Sequence, residues 1–248
     1  MEALFGDFLK PQLAEEVFIS LILIGVLIVF CFIIFILVKR ADPLAKPKGL
    51  LAAVELGVEK VDAMVEDNMG KSFPNFGAYV IAVALFIFLS FIIGIMGLPN
   101  PLGYIGVPFT MAMCTFVMIH ATSIKYTKWK YFKRYTDPVP VFLPINLLSM
   151  WAPLLSLTLR LFGNALAGWV LLTIVYWALG SLSNLVFASI PVGPSSIIIA
   201  PLVTPVLHAY FDVFSGAIQT LVFMFLSMLF VAQEKPEEDK VEEQMSLT

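Results

Sequence analysis

Residues 141–182, VFLPINLLSMWAPLLSLTLRLFGNALAGWVLLTIVYWALGSL, hold a single charged side chain, that of Arg160. Residues 195–233 form a second apolar run of similar length, and its one formally charged residue is Asp212. As an α-helix, each run would be about 60 Å long, whereas the hydrocarbon core of a bilayer is about 30 Å thick. Both runs are therefore too long to be ordinary membrane spans.

Two arrangements can accommodate runs of this length. Ordinary tilts of up to about 40° cannot absorb a roughly twofold excess, so each run is either two short spans or one steeply slanted helix. Two spans would need turns near Gly163-Asn164 and Gly216, and neither place offers a charged or proline-rich turn. The sequence favours two long, strongly tilted helices that form a hairpin.

The composition is that of a polytopic membrane protein. Of the 248 residues, 60% are hydrophobic and only 13% are charged, whereas soluble domains are about 25% charged. Cys31 and Cys114 lie inside apolar runs, so we expect them to be small core residues and not a disulfide or a metal-binding pair. The sequence has no Walker-type phosphate loop, and we expect neither a cofactor nor a bound metal.

The rest of the chain predicts three ordinary spans, one amphipathic helix and an acidic tail. Residues 49–69 place apolar side chains at helical spacing and acidic ones on the other face, so this helix is expected to pack on protein at the membrane edge, on the cytoplasmic side. The acidic N-terminus is unlike a signal peptide, so we expect the first span to be retained. We predict an all-α polytopic membrane protein with a single domain over residues 1–248 and about five membrane helices: spans 17–38, 76–97 and 109–124, long helices 141–182 and 195–233, and a tail at 234–248.

The positively charged residues predict the orientation of the chain. Six of the 15 Lys and Arg lie in residues 39–71 and five in residues 125–134, whereas residues 98–108 and 180–196 carry no charge. By the positive-inside rule, the N-terminus lies outside and the C-terminus lies in the cytoplasm. Aromatic residues accompany the basic ones at 125–135, which is typical of a loop at the membrane interface. We therefore expect this segment to contact the lipid bilayer and not nucleic acid.

Arg160 is the first candidate functional residue. Its guanidinium keeps its charge at any depth, and burying it at a bilayer centre costs about 3 kcal/mol on insertion scales. Ser156 and Asn164, four residues before and after it, share its helix face. A charge kept at this cost indicates an anion site, an ion path or a moving carboxylate. The alternatives are an arginine that snorkels to the interface and ordinary packing of small residues between helices.

The second long run carries a polar stripe on an otherwise apolar helix. His208, Asp212, Ser215 and Gln219 are spaced four, three and four residues apart. A carboxylate, an imidazole and an amide in line are what a water-filled ion path needs. A hydrogen-bonded stripe inside the helical core is the alternative interpretation.

Three segments resemble subunit a of the F-type ATP synthases. Residues 155–168, LSLTLRLFGNALAG, are similar to the arginine helix of that family. Residues 142–148, FLPINLL, and 214–224, FSGAIQTLVFM, also resemble it. The order of spans and basic loops is similar as well, so the resemblance covers the chain from the first span onward.

The resemblance implies a role for each matching residue. Arg160 would be the stator arginine that faces the carboxylates of the rotating c-ring, with Gln219 beside it on the neighbouring helix and Asn164 lining the same contact. It also implies that the last two helices lie nearly flat against the ring. The chain would be a subunit of an ion-translocating rotary complex in the cell membrane and no enzyme on its own. Its partners would be the c-ring, the stator stalk subunit b and the rest of the synthase, with H⁺ or Na⁺ as the coupling ion.

Two positions depart from the family pattern. Seven residues before the glutamine, other members carry His or Glu, whereas this chain has Asp212. Nine residues after the arginine, many members carry Glu or His, whereas this chain has Trp169, which cannot relay a proton. The carboxylate of the access path is therefore expected at Asp212 alone, with His208 one turn away as a partial substitute.

Two other function classes compete with this interpretation. A secondary transporter could use an intramembrane arginine to bind a carboxylate substrate, but its halves would show an internal repeat, and none is visible here. A purely structural membrane scaffold would leave both Arg160 and the polar stripe without a purpose.

Overall fold

The computed structural model describes residues 15–41, 47–73, 75–128, 141, 143–187 and 200–235, and the regular elements within these ranges are all helical. Five of the helical segments are long and apolar enough to cross a membrane, which confirms the predicted all-α polytopic class. In chain order the elements are α1 (Glu15–Arg40), α2 (Leu50–Met69), α3 (Phe76–Ile92), 3₁₀ turns at Ile93–Met96 and Pro101–Gly103, α4 (Gly106–Thr127), α5 (Leu143–Phe187), α6 (Ala200–His208), a π-helical turn (Ala209–Phe214) and α7 (Ser215–Ala232).

The two long apolar runs form long helices. α5 is continuous over 45 residues and passes through Pro153 and Gly163 without a turn. Helix α6, the π-helical turn and α7 follow one another without a break over the 33 residues of Ala200–Ala232, and α5 contacts both α6 and α7. The predicted connection between the two long helices spans residues 183–194; α5 continues through its first five residues to Phe187, and the rest lies outside the described residues.

The main hydrophobic core lies where α3, α4, α5 and α7 meet. α5 packs along α4, and α3 packs along α7. Burying these apolar faces between helices fixes the position of the polar residues that share the same turns, because close-packed interiors leave side chains little freedom. The most deeply buried members of this core are Ile87, Phe91, Leu102, Ala112, Leu154, Leu157, Leu161 and Phe223.

The amphipathic helix α2 packs on protein through its C-terminal half. Val65 and Met69 are buried in a second cluster with Met224 and Met228 of α7. The carboxylate of Asp62 lies against Gly77 in the first turn of α3, where the N-terminal end of the helix dipole favours a negative charge. The prediction that this helix packs on protein is therefore confirmed for its second half.

The expectation for the two cysteines was wrong. Cys31 and Cys114 are both on the exposed surface of the chain and not in its core. Apolar surroundings in the sequence do not distinguish the inside of a helix bundle from its outer surface when that surface is itself apolar.

Candidate functional site

Asp212 lies in the π-helical turn of the last long helix and is buried, with only 8% of its surface exposed. Its Oδ2 is 2.5 Å from Nδ1 of His208, one turn earlier, as the four-residue spacing predicts. The carboxylate also packs against Gly94 in the 3₁₀ turn that follows α3, where a Cβ atom would lie only 3.2 Å from its Oδ1. The absence of a side chain at Gly94 thus leaves the space that the carboxylate fills.

Tyr176 of α5 completes a hydrogen-bonded chain that spacing alone does not predict. Its hydroxyl is 2.8 Å from Nε2 of His208, so that the imidazole is held on one nitrogen by a phenol and on the other by a carboxylate. The two residues are 32 positions apart, so no local pattern relates them. The one signal in the sequence is a hydroxyl-bearing aromatic side chain in a helix already identified as functional.

These three residues line one cleft of about 300 Å³. The lining of the cleft includes Leu98, Pro99 and Asn100 of the uncharged loop and Asn164 on α5. Within its lining, the residues that can gain or lose a proton are Tyr176, His208 and Asp212. The cleft thus joins the loop after α3 to the helix turn that follows Arg160.

Asn164 is paired across the two long helices with Gln219. Its Nδ2 donates a hydrogen bond to Oε1 of Gln219 at 2.6 Å. Gln219 is 2% exposed, and its Nε2 has no hydrogen-bond partner among the described residues. A buried donor without a partner costs about 1–3 kcal/mol, so this amide is a position where an acceptor would be favourable.

Arg160 is half-buried, and its guanidinium donates to Oγ of Ser156 at 3.4 Å. Within the described part of the chain it forms no ion pair, with Asp212 or with any other carboxylate. The structure therefore gathers the predicted residues into two neighbouring groups. Ser156 and Arg160 form one group on α5, and Asp212 and His208 form the other in the cleft. Asn164, which also lines the cleft, is bonded to Gln219 of α7.

The remaining positions of the predicted pattern are placed as follows. Trp169 lines the cleft but is 65% exposed. Gly168, beside it, lies near Phe211 of the π-helical turn. A Cβ atom added at Gly168 would be 3.8 Å from the Phe211 ring, an ordinary van der Waals contact. Ser215, the fourth member of the stripe, is half-buried. Across the described ranges, no three His, Cys, Asp or Glu side chains come close enough to hold a metal ion.

Comparison with known proteins decides the family. Residues 18–232 match the profile of the family described as ATP synthase A chain. The chain belongs to that family. Its relatives include the ATP synthase subunit a of Mycoplasma genitalium, which is 30% identical over 241 residues and is matched over 90% of this chain and 80% of its own length. The subunit a of Mycoplasma pneumoniae is 29% identical over 239 residues, with 90% and 80% covered, and that of Geobacter sulfurreducens is 26% identical over 232 residues, with 92% of each chain covered.

Membership of the ATP synthase A chain family makes the protein a subunit of the membrane sector of a rotary complex. The match includes Arg160, the cleft and the whole of the last two helices, since it runs to residue 232.

Proposed function

We propose that this chain is the stator subunit through which ions cross the membrane and turn a ring of small c subunits. In this proposal Arg160 faces the ring, and two water-filled paths reach it from opposite sides of the membrane. The path from outside is the cleft lined by Asp212, His208 and Asn164. The second path begins on the other side of Arg160, towards Ser156.

The observation that carries this proposal is the position of the cleft relative to the arginine. The cleft extends from the loop at Leu98 to Asn164, which is one helical turn beyond Arg160, and it contains the buried Asp212. Arg160 itself is not among the lining residues, but it is one helical turn from Asn164 and has no ion-pair partner among the described residues. An ion path that stops one turn from an unpaired arginine is suited to exchange its ion with a carboxylate that arrives from another subunit.

The mechanism follows from the cost of charge in hydrocarbon. A ring carboxylate that faces lipid stays neutral, because its ionised form would be too costly there. When rotation brings it near Arg160, the opposite charge favours the ionised form, and the carboxylate releases its ion into an adjacent water path. Because the two paths are offset, an ion can cross only if the ring turns, and each elementary charge contributes about 2.3 kcal/mol per 100 mV of membrane potential.

The unpaired amide of Gln219 supports the same arrangement. Its Nε2 is buried and has no partner within the described ranges, while its oxygen is held by Asn164. A ring carboxylate or a water at the end of the cleft would supply the acceptor that this donor lacks. Gln219 would then position and hydrate the exchanging group without taking up a proton itself.

The orientation and the remaining partners belong to the same proposal. The uncharged loop at the mouth of the cleft contains no Lys or Arg, whereas the segment after α4 is basic. The positive-inside rule therefore places the cleft on the outer side of the cell membrane and the C-terminus in the cytoplasm. The stalk subunit b and the remaining stator would hold this chain still against the ring.

Replacement of Arg160 tests the proposal. We expect Arg160→Ala to abolish ATP-driven ion uptake by inverted membrane vesicles, because α5 carries no second cation to replace it. Arg160→Lys should also lose most of the activity, since an ammonium is a more strongly hydrated point charge without the planar fork. Arg40→Ala, at the exposed end of α1, is the matched control and should pump like the parent.

Assembly must be measured on the same membranes. Both Arg160 variants should co-purify with the small ring protein in parent amounts, which separates a functional loss from a failure to assemble. Substantial coupled uptake by Arg160→Ala in an assembled complex would rule out the proposed role of the arginine.

A further inference from the structure

The hydroxyl of Tyr176 is the one titratable group in the cleft for which the proposed function gives no role. The residue is 42% exposed, and its hydroxyl is 2.8 Å from His208 Nε2. It lies seven residues after Trp169, on the same face of α5, and both residues line the cleft. α5 therefore carries the Tyr176 hydroxyl two turns beyond Trp169, where this protein lacks the titratable group that many relatives have.

The hydrogen bonds of His208 define the direction in which a proton can pass, from Tyr176 to Asp212. The hydrogen bond between one ring nitrogen and a carboxylate determines which nitrogen carries the proton in the neutral imidazole. With Nδ1–H donated to Asp212 at 2.5 Å, Nε2 is left as an acceptor, and the Tyr176 hydroxyl is the donor that reaches it. The three groups thus form a continuous chain of donors and acceptors from the exposed phenol to the buried carboxylate.

We propose that Tyr176 is the entry residue of a proton relay, Tyr176–His208–Asp212, in the outer half of the ion path. The inference rests on the proposed function and assigns a residue and an order of transfer within it. A relay of this kind passes protons and not metal cations, because every member hands on a hydrogen that is bonded to oxygen or nitrogen.

Each transfer in the relay is balanced. A hydronium ion in the cleft gives a proton to the phenol oxygen as the original O–H proton moves to Nε2 of His208. The Nδ1 proton moves at the same time to Oδ2 of Asp212, so that the imidazole stays neutral and the carboxylate becomes a carboxylic acid. After Asp212 has passed its proton towards the ring, water in the cleft carries the Nε2 proton back to Nδ1. The net result is one proton moved from outer water to the buried end of the cleft.

Tyr176→Phe removes the hydroxyl and keeps the ring. The measurement is passive proton flux in vesicles whose ATPase head has been stripped, driven by a potassium diffusion potential and followed with a pH-sensitive dye inside the vesicles. We expect a loss of about tenfold, smaller than the ~100-fold or more that a positioned acid–base group can contribute, because a water molecule can bridge part of the gap. Tyr104→Phe is the matched control, since its hydroxyl makes no hydrogen bond within the described residues, and it should conduct like the parent.

Two further readouts distinguish a relay from a merely structural role. If Tyr176 acts through His208, Tyr176→Phe should cause no additional loss in a His208→Ala background. The deficit of the single variant should also shrink as the outer solution is acidified, because more hydronium then reaches the uncovered Nε2 directly. The groups lining the cleft that could take part in this pH dependence are Tyr176, His208 and Asp212.

The outcomes separate this inference from the function on which it rests. Parent-like flux in Tyr176→Phe, an additive loss in the His208→Ala background, or a deficit unchanged by acid would each overturn the relay. If Arg160→Ala abolishes pumping while Tyr176→Phe conducts like the parent, the stator function stands and only the relay fails. If Arg160→Ala still pumps, the stator function itself fails.

Discussion

Two tyrosine-headed hydrogen-bond chains cross this helix bundle, and they differ in what they connect. The outer chain runs from Tyr176 through His208 to Asp212 and lies along a cleft. The inner chain runs from the Tyr79 hydroxyl to Thr115 at 2.6 Å and from Thr115 to Ser227 at 3.4 Å, and so links α3, α4 and α7. One hydrogen-bonded chain contains an imidazole and a carboxylate beside its phenol, and the other contains hydroxyls alone.

The two hydrogen-bonded chains also differ in how far their side chains are exposed. Thr115 and Ser227 are almost completely buried, at 0% and 1% exposure, so their hydroxyls serve mainly to satisfy one another between helices, as hydroxyls commonly do in membrane bundles. Tyr176, in contrast, is 42% exposed and lines the cleft. A hydrogen-bonded chain in a membrane protein therefore indicates transport only if it combines titratable groups with access to water. The inner chain is continuous, but its hydroxyls hold helices together and do not transfer protons.

The largest effect expected from breaking either chain is at Asp212. Asp212→Asn should lower passive proton flux in head-stripped vesicles by about 100-fold or more, because a carboxamide cannot take up and release a proton near neutral pH. Asp212→Glu should keep part of the flux, and His208→Ala should lie between the two. Parent-like flux in Asp212→Asn would mean that the cleft is a packing feature and that ions pass elsewhere, along Ser156 and Asn164.

A smaller effect is expected at Gln219, which joins the inner end of the cleft to α5. Gln219→Leu should lower the flux by about 2- to 10-fold, which corresponds to the ~0.5–1.5 kcal/mol of a typical hydrogen bond, since the amide positions other groups and does not titrate. Passive proton flux in the same head-stripped vesicles measures this loss. Gln219→Glu is the informative companion, because a second carboxylate near Arg160 would compete with the ring. A loss in Gln219→Leu as large as that in Asp212→Asn would show that the amide has a more direct part in transfer.

The smallest effect on transport is expected in the inner chain. Tyr79→Phe makes the same chemical change as Tyr176→Phe but removes a hydroxyl that contacts Thr115. Proton flux should remain at the parent level. The free energy of unfolding of the purified complex should fall by about 1 kcal/mol, the net contribution of one buried hydrogen bond. If Tyr79→Phe reduced flux as much as Tyr176→Phe, the proposed distinction between the two chains would be wrong.

The sequence predicted the fold well because its determinants are local. Apolar length, the flanking basic residues and the helical spacing of residues 49–69 identify the helices within a few residues, as when the span predicted at 109–124 is found as Gly106–Thr127. The burial of Cys31 and Cys114 was predicted wrongly, because sequence polarity cannot tell a lipid-facing surface from a core.

The site was predictable only where it lies on one helix. The His208–Asp212 and Ser156–Arg160 contacts follow from four-residue spacing. The Tyr176 contact depends on how the two long helices pack, and no spacing rule gives their register. The π-helical turn also could not be predicted, because its extra backbone width accompanies tertiary contacts such as that of Asp212 with Gly94.

The π-helical turn sets the rotational phase between the two halves of the last helix. The first half must present His208 to Tyr176 on α5, and the second must present Gly216 to Phe91 on α3, where a Cβ atom would lie 2.6 Å from that of Phe91. A π-helical turn holds one more residue between its hydrogen-bonded ends than an α-helical turn does. Regular α-helix of the same length over Ala209–Phe214 would therefore rotate one half against the other by about 100°, the angle of one residue. The wide turn allows both contacts to form on one helix.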